Sequence, residues 1–104
     1  MTDFPDWPYT LYRLYGEDRD LLYVGISGSV LRRIKEHRQV ASWWDQVVLI
    51  ETEEFKNQIA ARGAEMRAIR AENPRYNVAR DWERHKAIRH PPLPPIVART
   101  REDA

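Results

Sequence analysis

The sequence predicts a single α+β domain built on a small three-stranded antiparallel β-sheet flanked by helices, in the order β-β-α-β-α. Three observations support this prediction: two early segments rich in strand-forming residues, a short apolar run rich in β-branched residues, and two segments with helical periodicity. A length of 104 residues suits one domain with one core. We expect residues 1–89 to form this domain and residues 90–104 to form a proline-rich tail, extended or disordered.

Two strands and a hairpin are predicted near the start of the chain. Residues 9–15 are rich in Tyr, Leu and Thr, and residues 21–26 again contain strand-forming side chains. The polar, turn-prone residues 16–20 between them indicate a β-hairpin. A third strand is predicted at residues 47–50, because an unbroken apolar run rich in β-branched residues is typical of a strand covered on both faces.

Two helices are predicted around the third strand. The first follows Ser27 or Ser29, either of which can cap it. Its apolar positions recur at helical spacing: Val30, Leu31, Ile34 and Ala41. The second should begin near Thr52 and end at Asn73, because Pro74 disfavours a helical residue before it. Its apolar face is predicted to consist of Phe55, Ile59, Met66 and Ile69.

Composition limits the classes of function. The formal net charge is only +1, and the chain has no cysteine, so a metal would be held by oxygen or imidazole. The longest apolar stretch, residues 47–50, is far too short to cross a bilayer, and no secretory leader is visible. We therefore expect a cytoplasmic protein without a membrane partner. Basic residues concentrate at 32–38 and 62–90, which fits either a nucleic-acid surface or ordinary charged helix faces.

Several polar residues lie where they can form one site. The triplets that contain Tyr12 and Tyr23 lie on opposite arms of the predicted hairpin, although packing alone would account for two strand tyrosines. Arg33 and His37 are one helical turn apart and share a helix face. Glu65 lies among small and apolar residues of the second helix, where a carboxylate is costly unless it has a partner. A metal ion would be such a partner.

Five short motifs resemble the GIY-YIG nuclease family in their order and spacing. They are Thr-Leu-Tyr, Tyr-Val-Gly, Leu-Arg-Arg-Ile-Lys-Glu-His, Ala-Ala-Arg-Gly-Ala-Glu and Asn-Pro-Arg-Tyr-Asn, and the match covers roughly residues 9–77. The resemblance implies the family's fold, with the first strand in the middle of the sheet, and hydrolysis of DNA phosphodiester bonds. Thr10 and Leu11 depart from the family's first triplet, and Ile26 replaces the lysine found in some repair-type members. Details specific to the repair branch are therefore not carried over.

The resemblance implies a role for each matching residue. Tyr12 would activate the attacking water, His37 would accept the proton of Tyr12, and Arg33 would hold phosphate oxygens. Tyr23 would form a hydrogen bond near the attacked phosphate or a metal-bound water. Glu65 would bind a single divalent ion, which would be Mg²⁺ or Mn²⁺ because these hard cations prefer oxygen ligands.

Two further residues would shape the site. Asn77 matches the family asparagine, and Gly25 matches the glycine of the second triplet, where a missing side chain lets backbone or substrate approach closely. A phenol with a pKa of about 10 is a poor base at neutral pH. We therefore expect Arg33 and His37 to lower the pKa of Tyr12.

The matching set favours a DNA endonuclease or nickase over a non-catalytic DNA-binding module, because a binder does not need a carboxylate directed at a phosphate. A third alternative is a protein-interaction domain that uses the prolines of residues 92–95. Trp43 and Trp44 either close the core or stack on exposed bases. The sequence contains no helix-turn-helix pattern or long basic arm, so the choice of cleavage site requires a protein partner, an additional domain or DNA structure. The biological substrate and the oligomeric state are left open.

Overall fold

The central element of the fold is β1 (Tyr9–Tyr15), which has a neighbouring strand on both sides. The structure is a computed structural model that describes residues 7–77 and 93–99. β1 pairs antiparallel with β2 (Leu21–Ser27) on one side and with β3 (Leu49–Phe55) on the other. The predicted α+β fold with the first strand in the middle is therefore confirmed.

A fourth strand makes the sheet mixed, whereas the sequence predicted three antiparallel strands. β4 (Ile96–Ala98) lies parallel to β3, and the strand order is β2-β1-β3-β4. The N–H of Ile50 donates to the carbonyl of Pro95 at 2.9 Å, and the N–H of Arg99 donates to the carbonyl of Thr52 at 2.6 Å. Unpaired groups along the edge of β3 favour such pairing. The proline immediately before β4 does not prevent it, because its carbonyl accepts and its missing N–H is not required.

The boundary predicted between a domain of residues 1–89 and a tail of residues 90–104 falls at residues that the structure does not describe. That boundary therefore stays a prediction. Within residues 7–77 and 93–99, none of the helices has the length and apolar character needed to span a membrane.

Two helices flank the sheet. α1 (Val30–Val40) follows Ser29, one of the two predicted caps, although the Ser29 side chain makes no capping hydrogen bond. α2 (Gln58–Glu72) follows Asn57, whose Oδ1 accepts a hydrogen bond from the N–H of Ala60 at 2.9 Å. Asn57 therefore satisfies one of the N–H groups that a helix start leaves without an intrahelical partner.

The predicted start of α2 near Thr52 is wrong. β3 continues to Phe55, and its residues pair with β1 in an unbroken register. A threonine followed by two glutamates is also typical of a helix start, so residues 52–54 fit both structures locally, and pairing with β1 decides between them. The predicted end of the helix is confirmed: Asn73 has a left-handed conformation with φ 53°, and Pro74 follows it.

The two faces of the sheet carry different apolar clusters. The face covered by α1, called the α1 face, contains Tyr12, Leu14, Leu22, Ile34, Ala41, Trp43, Trp44, Val47 and Ile50. The opposite α2 face contains Leu11, Val24 and Ala68, with Ala64 and Ile69 partly buried against them. Side chains alternate along a strand, so β1 directs Tyr12 to the α1 face and Arg13 to the α2 face.

The periodicity predicted that the large apolar residues of both helices face the sheet, but several of them are exposed. Leu31 is 49% exposed, Met66 is 52% exposed and Ile59 is 82% exposed. α2 instead buries the small residues Ala61 and Ala68 against the sheet. Ile69 is partly buried against the sheet as predicted, whereas Ile59 and Met66 lie on the exposed side of α2.

Arg13 is the main charged group on the α2 face and is only 5% exposed. Its Nε and Nη2 donate to the two carboxylate oxygens of Glu72, each at 3.0 Å. Its Nη1 lies 3.4 Å from Glu53 Oε1 and 3.7 Å from Glu51 Oε1. The two-point contact with Glu72 fixes the end of α2 to β1, because such paired hydrogen bonds constrain orientation as well as distance.

We predict that Arg13→Ala lowers the free energy of unfolding by about 3–5 kcal/mol, because it leaves the mostly buried carboxylates of Glu51 and Glu53 without their central counter-charge. Urea denaturation measures this loss. Arg75→Ala is the control, since Arg75 pairs with Asp20 at the surface and should cause a much smaller loss. Equal stability of the Arg13 and Arg75 variants would contradict the prediction.

Candidate active site

A buried hydrogen bond between Tyr12 and His37 forms the centre of the candidate site. β1 directs Tyr12 to the α1 face, α1 places His37 beside it, and each residue is only 1% exposed. The distance from Tyr12 Oη to His37 Nε2 is 2.8 Å. Burial and the positive charge of Arg33 lower the pKa of His37 to about 3. The imidazole is therefore neutral at pH 7, and its Nε2 can accept the hydrogen bond from the phenol.

Gly25 leaves the space that the Tyr12 phenol occupies. The two residues are cross-strand partners in the pairing of β1 with β2. A Cβ atom at position 25 would lie 2.6 Å from Tyr12 Oη and 3.0 Å from Tyr23 Cε2. The close approach expected at this glycine is therefore made by the side chain of Tyr12.

Tyr23 belongs to an aromatic cluster, which we define as Tyr12, Tyr23, His37, Trp43 and Tyr76. The ring centroid of Tyr23 lies 6.2 Å from that of Tyr12 and 4.8 Å from that of His37, with the imidazole edge-on. Trp43 stacks on Tyr23 at 5.7 Å and on Tyr76 at 5.1 Å. Trp43 is 2% exposed and Trp44 is 6% exposed, so both tryptophans belong to the core and neither presents a ring for base stacking.

Trp43 and Tyr76 were not among the catalytic residues predicted from the sequence. Tyr76 is the fourth residue of the Asn-Pro-Arg-Tyr-Asn motif, and this position was the only signal for it in the sequence. Its ring is nearly parallel to that of Trp43, at an interplanar angle of 6°. The cluster therefore extends the candidate site from β1 and α1 to the segment after α2.

The phenols of the site have raised pKa values, contrary to the expectation for Tyr12. Burial is the largest cause for both tyrosines. For Tyr12, the neighbouring Tyr23 raises the pKa further, whereas Arg33 lowers it by charge and by hydrogen bonding. Arg33 thus acts in the expected direction, but burial outweighs it. His37 contributes as a neutral acceptor and not as a positive charge.

Arg33 connects the buried phenol to the protein surface. It interacts with Tyr12 on one side, and its Nη1 donates to Glu36 Oε1 at 2.9 Å on the other. Its side chain is 48% exposed. A half-exposed guanidinium can exchange a surface partner such as Glu36 for the oxygens of an approaching phosphate.

Glu65 reaches the site from α2. Its negative charge contributes to the raised pKa of both Tyr12 and Tyr23, so the carboxylate lies within electrostatic range of both phenols. Burial raises the pKa of Glu65 itself, and the charge of Arg62 opposes this shift. Glu65 forms no ion pair with the part of the chain that the structure describes.

The donor set fits a hard cation held largely by water. Within the described ranges, no group of three or more His, Cys, Asp or Glu side chains is arranged to hold a metal. A partly buried carboxylate without an ion-pair partner there is a suitable ligand for Mg²⁺ or Mn²⁺, because magnesium in particular keeps several waters when it binds to protein. Glu65 therefore fits the single-carboxylate site that the resemblance implied.

Asn77 holds the backbone of β2. Its Oδ1 accepts a hydrogen bond from the N–H of Val24, and its Nδ2 donates to the Val24 carbonyl, both at 2.9 Å. Val24 lies between Tyr23 and Gly25. Asn77 therefore fixes the segment that carries two site residues, and its side chain is used for this and not directed at the Tyr12 phenol.

The sheet, the buried Tyr12–His37 pair and the charges of Arg33 and Glu65 together define a nuclease-type domain. Residues 8–77 match the GIY-YIG catalytic domain family, and this match covers more than half of the chain. The chain belongs to the GIY-YIG family.

Among curated proteins, the chain is similar to UvrABC system protein C of Xanthomonas campestris pv. campestris, strains B100, 8004 and ATCC 33913. The identity is 29% over 100 residues, which covers 89% of this chain and 15% of each relative. The chain thus spans a small part of the length of these relatives. No solved structure matches the chain significantly.

We predict that Gly25→Ala displaces the Tyr12 phenol, because the new Cβ would lie 2.6 Å from its hydroxyl oxygen. Overpacking of this kind should lower the free energy of unfolding by about 1–3 kcal/mol. Gly63→Ala is the matched control: a Cβ there meets only the Nη1 of Arg67, at 3.4 Å, and alanine favours the helix by about 1 kcal/mol. Chemical denaturation should show opposite signs for the two variants, and a stable Gly25→Ala protein would contradict the geometry.

We predict that His37 destabilises the fold as the pH falls from about 6.5 to about 3. In that window the unfolded chain binds a proton at His37 that the folded protein does not, so this contribution to stability is complete above the window and is lost progressively as the pH falls through it. The slope is at most about 1.4 kcal/mol per pH unit. His37→Gln should show a shallower decline when unfolding is measured against pH. Identical slopes in both proteins would mean that His37 becomes protonated in the folded state.

Proposed function

We propose that this chain is a metal-dependent DNA endonuclease or nickase that hydrolyses phosphodiester bonds by attack of an activated water. The observation that carries this proposal is the hydrogen bond from Tyr12 to the neutral His37, with Arg33 beside the phenol and Glu65 within electrostatic range. Membership of the GIY-YIG catalytic domain family supports DNA as the substrate class. The similarity to UvrABC system protein C covers only 15% of that protein, so a protein partner or additional domain for targeting is also part of the proposal.

In the proposed reaction, a water molecule gives a proton to Tyr12 Oη as the phenolic proton passes to His37 Nε2. The water oxygen attacks phosphorus, the bond from phosphorus to the leaving oxygen breaks, and the leaving oxygen takes up a proton from solvent. Arg33 pairs with phosphate oxygens and offsets the charge that develops on them. Tyr23 lies beside Tyr12 and would form a hydrogen bond near the attacked phosphate.

The raised pKa of Tyr12 and the lowered pKa of His37 both oppose this proton transfer in the free protein. Arg33 lowers the pKa of Tyr12, which favours loss of the phenolic proton, but it also lowers the pKa of His37, which opposes uptake of that proton by the imidazole. Glu65 would hold Mg²⁺ or Mn²⁺, which when bound supplies further positive charge to the site and to the phosphate. The unfavourable proton transfer in the free protein gives a physical reason why the proposed reaction would require a metal. The cytoplasmic location expected from the sequence stays a prediction.

We predict that the purified chain nicks or cuts supercoiled plasmid in the presence of Mg²⁺ and that a chelator abolishes this activity. Tyr12→Phe should lower the rate by at least about 100-fold, the usual contribution of a general acid or base. Tyr15→Phe is the matched control, because Tyr15 lies on the same strand and its hydroxyl donates to Glu51 Oε1 at 3.3 Å, away from the site. It should cut at close to the normal rate.

Glu65→Gln tests the metal separately from the fold. It should abolish metal-dependent cutting, whereas Glu54→Gln, which changes an exposed carboxylate on β3, should not. If the wild-type chain binds DNA but never cuts it under any of these conditions, the non-catalytic DNA-binding alternative replaces the proposal. Full activity of Tyr12→Phe would assign the activation of water to another group.

A further inference from the structure

A groove lies beside the candidate active site, where β1 begins and β2 ends. Its volume is about 570 Å³, which falls within the range of about 300–1,000 Å³ typical of ligand sites. Residues 7–9 and 26–29 line it. Arg32 of α1 and Arg62 of α2 line it as well. The groove therefore combines parts of both strands and both helices.

One residue of the groove, Ser27, lies next to the candidate active site along the sheet. Thr10 pairs with Ser27, which lines the groove, and this pair is the next one on the same face after Tyr12 and Gly25. Successive pairs on one face are about 7 Å apart along the strands. A DNA strand held at the candidate site would therefore extend towards the groove.

The two arginines also connect the groove to the site. Arg32 precedes Arg33 on α1, and Arg62 lies one helical turn before Glu65, whose pKa it lowers by its charge. The two helices that carry the charged residues of the candidate site, α1 and α2, thus each place one arginine in the groove.

The charges of the groove suit a phosphate. None of its described lining residues is acidic. Arg32 has only a 3.7 Å contact with Glu36 at the surface, and Arg62 is in no ion pair with the described part of the chain. Two arginine side chains in one groove are thus available to an anionic ligand.

The groove also presents aromatic rings. Trp7 is 66% exposed, so the face of its indole is accessible to a ligand in the groove. Tyr9 is half-buried, and Gly28 lies so close to its ring that a Cβ there would be 3.2 Å from Cε1. The rings of this groove differ from Trp43 and Trp44, which are buried in the core.

We propose that this groove binds one unpaired nucleotide next to the cleaved bond, with its base against Trp7 and its phosphate between Arg32 and Arg62. The identity of the ligand as DNA rests on the proposed nuclease function. A base within a duplex is stacked on both of its faces, so an aromatic side chain can stack only on a base that has left the helix. The substrate class is therefore DNA with an unpaired nucleotide beside the cleaved bond.

Binding of DNA without cleavage tests this proposal. The probes are a fluorescent single-stranded oligonucleotide of mixed sequence and the blunt duplex of the same sequence, with a chelator present and at several salt concentrations. We expect tighter binding of the single strand. Trp7→Ala should weaken that binding by about 5- to 100-fold, the usual loss of one base-stacking contact, and leave the salt dependence unchanged.

The arginine variants should have a different signature. Arg32→Ala should lower the slope of log affinity against log salt by about 0.7 on the single strand, because one phosphate contact is lost. Arg70→Ala is the matched control, since Arg70 is exposed on α2 but does not line the groove. It should leave the slope and the preference for the single strand as in the wild type.

Two results would overturn the proposal: equal affinity of the wild type for single strand and duplex, or a Trp7→Ala variant that loses no preference for the single strand. Circular dichroism checks that each variant is folded. If the wild type does not cut plasmid but Trp7→Ala still weakens single-strand binding, the proposed nuclease activity is rejected and the proposed nucleotide site in the groove is retained. Cleavage with no effect of Trp7→Ala on binding would reject the groove and retain catalysis.

Discussion

The buried contact between Tyr12 and His37 constrains much of the rest of the structure. A phenol and an imidazole that are both removed from water must hydrogen-bond to each other or to another group, because an unsatisfied polar atom in the core is costly. This requires α1 to lie close to β1, and it requires a residue without a side chain opposite Tyr12. Gly25 meets that requirement, and Asn77 holds the neighbouring backbone in place. Burial also disfavours transfer of the proton from Tyr12 to His37, since it raises the pKa of the phenol and lowers that of the imidazole.

The candidate site draws on both faces of the sheet. Tyr12 and His37 lie within the α1 face, whereas Glu65 belongs to α2, which packs on the opposite face. The chemistry proposed for the site therefore depends on how accurately α2 is positioned. Arg13 contributes to this accuracy by holding Glu72 at the end of the helix with two hydrogen bonds. An ion-pair network that has no part in the reaction thus supports the group proposed to bind the metal.

The sequence predicted β1, the hairpin and the end of α2 well, because strand-forming residues, a polar turn and the Asn73–Pro74 pair are local signals. The start of α2 could not be predicted in this way, since residues 52–54 suit a helix start and only their pairing with β1 makes them a strand. β4 was not predicted, because it follows a run of prolines and is formed only by pairing with β3, which is distant in the sequence. The site residues were found through the motifs they share with a family. The direction of the Tyr12 pKa shift could not be predicted from the sequence, because it depends on burial in the folded chain.

The buried alanines of α2 influence the position of Glu65, the carboxylate proposed to bind a metal. Ala61 and Ala68 are nearly fully buried, and they lie on either side of Glu65 along the helix. Small side chains let a helix lie close to a sheet, and a close-packed interior transmits a change of volume instead of absorbing it. A larger residue at either position would lift one end of the helix and move the carboxylate away from the phenols. The position of Glu65 relative to Tyr12 is thus governed by two methyl groups, and for the proposed reaction these two positions would have little freedom to vary.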